Sequence, residues 1–180
     1  MFPGIKHIPI LELAPSQLYL NGEKLHRIQK WLDPEDLSSF APLWVHDFGD
    51  GRLTLIDGHS RAFAAYLAGI RQVPVEYYTG PFVTSEIGRL QYEWNLLSCR
   101  RAGLHSVRDL ANRILSAERY EELWIDRCDK VYDLLTRTTA AEREHLQALW
   151  PELFLYGSSE DLKTLYFETE NGESVSLIRE

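Results

Sequence analysis

Residues 53–74 contain the pattern that most constrains the fold, because a strong breaker separates two strong secondary-structure signals. Leu53–Ile56 is a short apolar run of the kind that forms a buried strand. Asp57-Gly58 interrupts this run, and apolar side chains then recur at helical spacing among alanines until Gly69. Another extended segment begins at Val73. The stretch therefore predicts a strand, a tight turn, a helix and a second strand, around which the remaining chain must pack.

The turn between the first strand and the helix is the candidate site for chemistry. We expect Asp57 to cap the helix, because its carboxylate can accept hydrogen bonds from the free amides of the first turn. Gly58 has no Cβ, so backbone or ligand can approach it closely. His59 and Ser60 would then lie where free N–H groups and the positive end of the helix dipole favour a phosphate.

Arg61 is the unusual residue of this turn, since a cation at a helix N-terminus opposes the helix dipole at a cost of up to about 1 kcal/mol. Two explanations fit the sequence. An anion could sit between Arg61 and the helix amides, or Arg61 could form an ion pair with Asp57. Spacing alone does not decide between them.

The patterns on either side of this unit predict an α+β fold. In the first part of the chain they predict an opening strand over Lys6–Leu13, a helix from Glu23 to about Asp33, a helical turn or two within Glu35–Phe40, and a strand over Leu43–Phe48 that enters a hairpin turn at Gly49–Gly51. Later they predict helices over Ser85–Arg101, Val107–Ala117, Glu118–Thr136 and Ala140–Leu149, then a β-hairpin within Leu165–Ile178 that turns at Asn171-Gly172. A change in character near Thr79-Gly80-Pro81 divides the chain into a domain over 1–80 and a mostly helical extension over 81–180.

Composition narrows the class of partner and the compartment. The net charge is −8, and none of the segments 1–80, 81–150 and 151–180 has more basic than acidic residues, which disfavours a large interface with a nucleic-acid backbone. No apolar stretch reaches membrane-spanning length, and the first ten residues lack the features of a signal peptide. Cys99 and Cys128 form no C-x-x-C pair, so we expect reduced thiols in a cytoplasmic protein with no membrane partner.

Common catalytic motifs have little support. The six histidines show neither H-x-x-x-H spacing nor a cysteine neighbour, which argues against a zinc site. Gly58–Ala62 approaches the G-x-S-x-G elbow of α/β-hydrolases, and His105 or His145 could complete a triad. However, the fifth position is Ala, and too few strands precede the motif. Neither a P-loop nor G-x-G-x-x-G occurs, so any phosphate site must come from the turn itself.

The residues around this turn resemble the ParB/sulfiredoxin superfamily. Ile56–Ala65 reads I-D-G-H-S-R-A-F-A-A, and a V-P-V strand follows one helix later at Val73–Val75. This order is similar to the family pattern D-G-x-x-R-x-x-A-A, short helix, strand. Ile8–Leu18 resembles the family's opening strand and its P-S-x-L segment. The resemblance covers residues 5–78 and leaves 81–180 unmatched.

The resemblance implies a small mixed sheet and a pocket for nucleotide phosphates at the turn. The family includes ParB proteins that bind and hydrolyse CTP, sulfiredoxins that use ATP, and free serine kinases. Sulfiredoxins place their reactive cysteine where this chain has His59, and ParB proteins have G-E-R-R where this chain has G-H-S-R. The D-G-H-H-R motif of the kinases is most similar to D-G-H-S-R here.

The hypothesis of phosphoryl transfer at this pocket assigns roles to individual residues. Nucleotide phosphates would be bound by the turn, and catalysis would involve its first acid and its histidine together with one further carboxylate. In this chain the candidates for nucleotide binding are Gly58, His59, Ser60 and Arg61, and the catalytic candidates are Asp57, His59 and Glu23. His59 and Ser60 would contact the transferred group, and Asp57 would orient Mg²⁺ or the acceptor hydroxyl. The kinases use a Glu after the first strand, where this chain has P-S-Q, and Glu23 is the nearest later carboxylate.

The expected function is therefore nucleotide binding. The specific hypothesis is an ATP- or ADP-dependent phosphotransferase that acts on a small hydroxyl-bearing metabolite, or a nucleotide hydrolase. The alternative is a non-enzymatic ParB-like module that binds DNA or protein. Ser106–Arg113 has some character of a helix-turn-helix, but no clear recognition helix follows, so DNA is the less favoured partner. Self-association into a homo-oligomer stays open.

Overall fold

The computed structural model describes residues 1–149, 153–159, 161, 163–169 and 173–178. Within these residues the first part of the chain runs β1 (Ile5–Pro9), β2 (Leu13–Ala14), β3 (Leu20–Asn21), α1 (Gly22–Trp31), β4 (Leu43–His46), β5 (Leu53–Asp57), α2 (His59–Leu67) and β6 (Gln72–Tyr77). The later part runs α3 (Pro81–Thr84), α4 (Glu86–Arg101), β7 (Ile114–Leu115), α5 (Ala117–Tyr120), α6 (Asp126–Arg137), α7 (Ala140–Leu149), β8 (Leu153–Ser158), β9 (Thr164–Thr169) and β10 (Ser174–Ile178).

A five-stranded mixed sheet in the order β1-β6-β4-β5-β2 organises the first part of the chain. The β1–β6 and β4–β5 pairs are antiparallel, whereas β4–β6 and β2–β5 are parallel. Pro9 lies at the end of β1, an edge strand, where its missing N–H costs no central hydrogen bond. This mixed sheet with helices confirms the predicted α+β class.

The sheet buries one face by strict alternation along its central strand. Leu43 and Val45 on β4 are fully buried, and they pack in one core with Phe63 of α2 and Ile28 of α1. Trp44 lies between them and points to the opposite face, where 39% of it is exposed. The order of residues in β4 therefore decides which face the helices cover.

Side chains from both predicted domains share this core. Cys99, Val107, Leu110 and Trp124 pack with the sheet residues. A second core joins α4, α6, α7 and the C-terminal sheet, and it comprises Leu90, Trp94, Val131, Leu134, Leu135, Leu146, Leu165 and Phe167. The division of the chain at residue 80 stays a prediction.

Two predicted elements are shorter than the pattern indicated. The opening strand ends at Pro9, and Ile10–Glu12 forms a 3₁₀ turn instead of continuing the strand. The helix predicted over Val107–Ala117 is also wrong, because Val107–Asn112 is a 3₁₀ helix and the chain then extends into β7. Parallel pairing of β7 with β3 supplies the backbone hydrogen bonds that a longer helix would otherwise have provided.

Three further predictions differ in detail. The expected helical turn over Glu35–Phe40 is wrong, since this stretch forms bends and turns, with Asp33 and Asp36 accepting nearby backbone N–H groups. The long helix after Glu118 is confirmed, although Glu121–Ile125 widens into a π-helix. The C-terminal hairpin is confirmed as β9–β10, and β8 joins it unpredicted. Its expected turn at Asn171-Gly172 lies outside the described residues.

Among the described residues, no helix combines the length and the apolar character that crossing a membrane requires.

Candidate functional site

Gly58 makes the tight turn between β5 and α2. Its φ of 95° lies in the left-handed region, and a Cβ added there would come within 2.5 Å of Leu43 Cδ2. Gly58 is therefore the residue that caps α2, and its carbonyl accepts the Ala62 N–H at 2.8 Å. The prediction that Asp57 caps the helix is wrong, because Asp57 is still in β5 and directs its carboxylate elsewhere.

Arg61 bridges the turn and the loop that precedes β4. Its Nη2 donates to Asp57 Oδ2 at 2.7 Å, and its Nη1 donates to the Ala41 carbonyl at 2.6 Å. The Arg61 side chain is 18% exposed, whereas that of Asp57 is 53% exposed. Of the two explanations for a cation at this helix start, the ion pair with Asp57 is therefore the one observed.

His59 is buried in the first turn of α2 and holds the segment that follows β2. Its Nε2 accepts the Ser16 N–H at 3.0 Å, and the Ser16 hydroxyl donates to the Leu55 carbonyl at 2.6 Å. Because Nε2 accepts, the neutral ring carries its proton on Nδ1. Burial lowers the pKa of His59 from 6.5 to about 4, Asp57 opposes this change and Lys24 adds to it. The imidazole is therefore uncharged at neutral pH.

The start of α1 places another cation near this turn. Asn21 caps α1 by accepting the Lys24 N–H at 3.0 Å, and the positive charge of Lys24 helps to lower the pKa of His59. Glu23 is exposed on the same first turn of α1. Glu23 and Lys24 therefore lie on α1, outside the turn, whereas Asp57 to Arg61 are the consecutive residues of the turn itself.

Asn95 is a polar residue that the sequence analysis missed. It is 7% exposed, and its Oδ1 has no hydrogen-bond partner among the described residues. On the same face of α4, Tyr92 donates its hydroxyl to the Ile56 carbonyl at 3.2 Å, and Cys99 packs in the core that contains α2. Asn95 lies three residues after Tyr92 and four before Cys99, so the three side chains share one face of α4.

A signal for Asn95 and for Ser16 was present in the sequence. Asn95 falls on a helical face that is otherwise predicted to be buried, and a buried amide needs a partner. Ser16 belongs to the P-S-x-L segment, but the separation of 43 residues from His59 hid its contact with the imidazole.

Among the described residues, no group of three or more His, Cys, Asp or Glu side chains is placed to bind a metal ion. Magnesium in nucleotide sites is often held by one or two carboxylates together with phosphate oxygens and water. The half-exposed carboxylate of Asp57 fits that limited role, so its assignment to Mg²⁺ remains a prediction.

Two solved structures with low sequence identity are similar to this chain. No protein-family model and no curated protein matches this chain. The crystal structure of protein Atu1540 from Agrobacterium tumefaciens is 19% identical, covers 60% of this chain and has a TM-score of 0.40; this chain spans 61% of that one. The C-terminally truncated chromosome-partitioning protein ParB from Caulobacter crescentus, complexed with CTP-gamma-S, is 17% identical with a TM-score of 0.38, over 81% of this chain and 99% of that one.

Substituting Gly58 by Ala tests the constraint at the turn. The control is Gly69→Ala, because Gly69 also has a positive φ but has open space around it. We expect this control to lower the free energy of unfolding by about 1–2 kcal/mol. Gly58→Ala should cost about 1–3 kcal/mol more, because its Cβ also meets Leu43. Urea denaturation of both variants measures the difference. Equal losses would mean that the close approach to Leu43 does not matter.

Lowering the pH tests the buried neutral imidazole. The folded-state pKa of His59 lies below its unfolded value, so the unfolded chain binds more protons between pH 6.5 and 4. The stability that His59 contributes is thus complete above pH 6.5 and falls by up to about 3 kcal/mol as the pH drops toward 4.

Denaturation curves at several pH values measure this loss. His59→Gln should flatten the dependence on pH, and His26→Gln, at an exposed position on α1, should leave it unchanged. A His59→Gln curve parallel to the wild-type curve would contradict the assignment.

Proposed function

We propose that this protein binds a nucleotide through its phosphate groups at the start of α2. The backbone N–H groups of the first turn, His59 to Arg61, have no acceptor within the helix. Together with the positive end of the helix dipole, they favour the binding of an anion. The buried hydroxyl of Ser60 is on the same turn. The observation that carries the proposal is the group of donors at this turn: the free amides that follow Gly58 lie beside the Ser60 hydroxyl, and Lys24 is close enough to lower the pKa of His59.

The charges near the turn support an anionic ligand. Lys24 brings an ammonium group close enough to affect His59, and Arg61 adds a guanidinium that Asp57 balances. In this proposal the ammonium group of Lys24 binds the phosphates. Arg61 stabilises the turn through its hydrogen bonds, and the exposed part of its side chain faces the phosphates.

Phosphoryl transfer from ATP or another nucleotide to a small hydroxyl-bearing metabolite is the more specific proposal, and the likeness of D-G-H-S-R to the serine-kinase motif supports it. Asp57 would share Mg²⁺ with the phosphates, and Glu23 would accept the acceptor's hydroxyl proton. His59 is better suited to positioning than to contact with the transferred group, because its Nε2 already accepts the Ser16 N–H. Positioning and charge neutralisation would supply most of the rate enhancement.

A non-enzymatic binding module is the second candidate. The observation that favours it is the engagement of Arg61, whose guanidinium already donates to Asp57 and to the loop before β4. In that case the turn is a structural brace, and residues beyond 80 would contact a protein or DNA partner.

A thermal-shift panel of ATP, ADP, CTP and GTP, each with and without Mg²⁺, tests nucleotide binding. A nucleotide at one hundred times its Kd should stabilise the protein by about 2.7 kcal/mol. Lys24→Ala should reduce the shift strongly, whereas Lys30→Ala, which removes the same charge from the last turn of the same helix, should not. No shift with any nucleotide would favour the binding module, and equal effects of the two lysine variants would mean that the nucleotide binds away from the start of α2.

Transfer of radiolabelled γ-phosphate to serine and other small hydroxyl compounds tests the enzymatic proposal separately. Glu23→Gln should abolish transfer while preserving the nucleotide-induced thermal shift. Asp57→Asn should lose the part of that shift that depends on Mg²⁺. Nucleotide binding without transfer to any acceptor tried, or hydrolysis alone, would leave binding intact and contradict the kinase assignment.

A further inference from the structure

Three stacked aromatic rings form a column on the face of the sheet that α1 and α2 leave open. The Trp44 and Tyr78 ring centroids are 5.0 Å apart with planes inclined by 30°, and those of Tyr78 and Phe82 are 5.8 Å apart with planes inclined by 21°. Trp44 is 39% exposed and Phe82 is 56% exposed. We call Trp44, Tyr78 and Phe82 the aromatic platform.

The backbone holds the platform in place. The Tyr78 N–H donates to the Val45 carbonyl at 2.8 Å, which extends the pairing of β6 with β4 by one residue. A Cβ at Gly80 would collide with the Tyr78 phenol, so the missing side chain leaves room for that ring between its neighbours. The platform is therefore preformed, and a ligand that stacked on it would order few groups on binding.

An exposed tryptophan in the middle of a sheet calls for an explanation. β4 is the central strand of the sheet, and Phe48, which follows it, stacks on Tyr92 of α4 at 5.5 Å. Trp44 itself keeps over a third of its surface open to solvent. Large exposed aromatic groups of this kind mark interaction sites more often than isolated surface residues do.

Carboxylates flank the platform on both sides. Trp44 is in register with Asp57 on β5 and with Glu76 on β6, and both acids are exposed. Paired residues of neighbouring strands share a face of the sheet, so the two carboxylates border the indole. Asp57 shares its charge with Arg61.

An aromatic face bordered by carboxylates has the chemistry that recognises a cation. A guanidinium stacks on indole and donates two parallel hydrogen bonds to a carboxylate, which an ammonium group cannot reproduce. The same carboxylates would repel a nucleic-acid backbone. The open shape suits a side chain carried by a larger partner, since free small molecules bind mostly in enclosed clefts, and the net charge of −8 would attract a basic partner.

We propose that the aromatic platform, with Asp57 and Glu76, binds an arginine side chain presented by a basic segment of a partner protein. The site lies beside the candidate nucleotide turn but does not require nucleotide binding. The arginine stacks on Trp44, and its guanidinium pairs with Glu76.

Fluorescence anisotropy with a labelled peptide of four Arg-Gly repeats, at about 150 mM salt, tests this proposal. Trp44→Ala should weaken binding about tenfold, whereas Trp31→Ala, which removes an equally exposed tryptophan from α1, should have no effect. A matched Lys-Gly peptide should bind more weakly than the Arg-Gly peptide. Thermal melts confirm that the variants fold.

Glu76→Lys keeps the test decisive if Trp44→Ala fails to fold, because Glu76 is exposed and its replacement leaves the core intact. It should abolish binding, and Glu12→Lys, the same charge reversal at an exposed position directly before the edge strand β2, should reduce it far less. Equal affinity for both peptides, or equal effects of the two reversals, would mean only diffuse attraction and would overturn the proposal. It would also be overturned if Trp44→Ala impaired the nucleotide-induced thermal shift but not peptide binding.

Discussion

The absence of a side chain at Gly58 is the constraint on which the rest of this structure depends. A Cβ there would overlap Leu43, the residue that begins the central strand and lies wholly in the core. Only with this close approach can α2 start directly at the end of β5 and lie across the sheet. The same geometry fixes where Arg61 reaches and how deeply His59 is buried, so the backbone at one residue sets the positions of the polar groups around it.

Polar contacts reinforce this turn from two directions. Arg61 ties it to the loop before β4, and His59 ties it to Ser16 after β2. Each contact satisfies a group that would be costly to bury alone. The neutral state of His59 follows from this arrangement, because a charged imidazole would be desolvated while losing the acceptor that the Ser16 N–H requires. Rigid support of this kind is what a site for phosphate groups needs, since such sites depend on donors held in place beforehand.

The two faces of the sheet have different chemistry. On one side, aliphatic residues of β4 meet α1 and α2 and form the main core. On the other side, aromatic rings predominate, and part of that surface stays exposed beside two carboxylates. Alternation along β4 places Leu43 and Trp44 on opposite faces one residue apart. Asp57 pairs with Trp44 across the strands, so its carboxylate lies between the candidate phosphate site and the aromatic platform.

Local pattern in the sequence was enough to predict the β5–α2–β6 unit, the helices over α1, α4, α6 and α7, and the C-terminal hairpin. These elements are governed by short-range periodicity and by glycine, which act within a few residues. Where a partner distant in the chain decides the backbone hydrogen bonds, the prediction failed. Pairing of β3 with β7 replaced the end of a predicted helix, and β8 was not foreseen.

The candidate site divides in the same way. The sequence by itself determined that Asp57 to Arg61 form a polar turn at a helix start, because five consecutive residues carry that information. Only the tertiary structure decided that Gly58 caps the helix, that Arg61 pairs with Asp57, and that Ser16 and Lys24 lie near His59. Burial and long-range contacts keep His59 uncharged, and no local pattern encodes the distance between residues that the fold alone brings together.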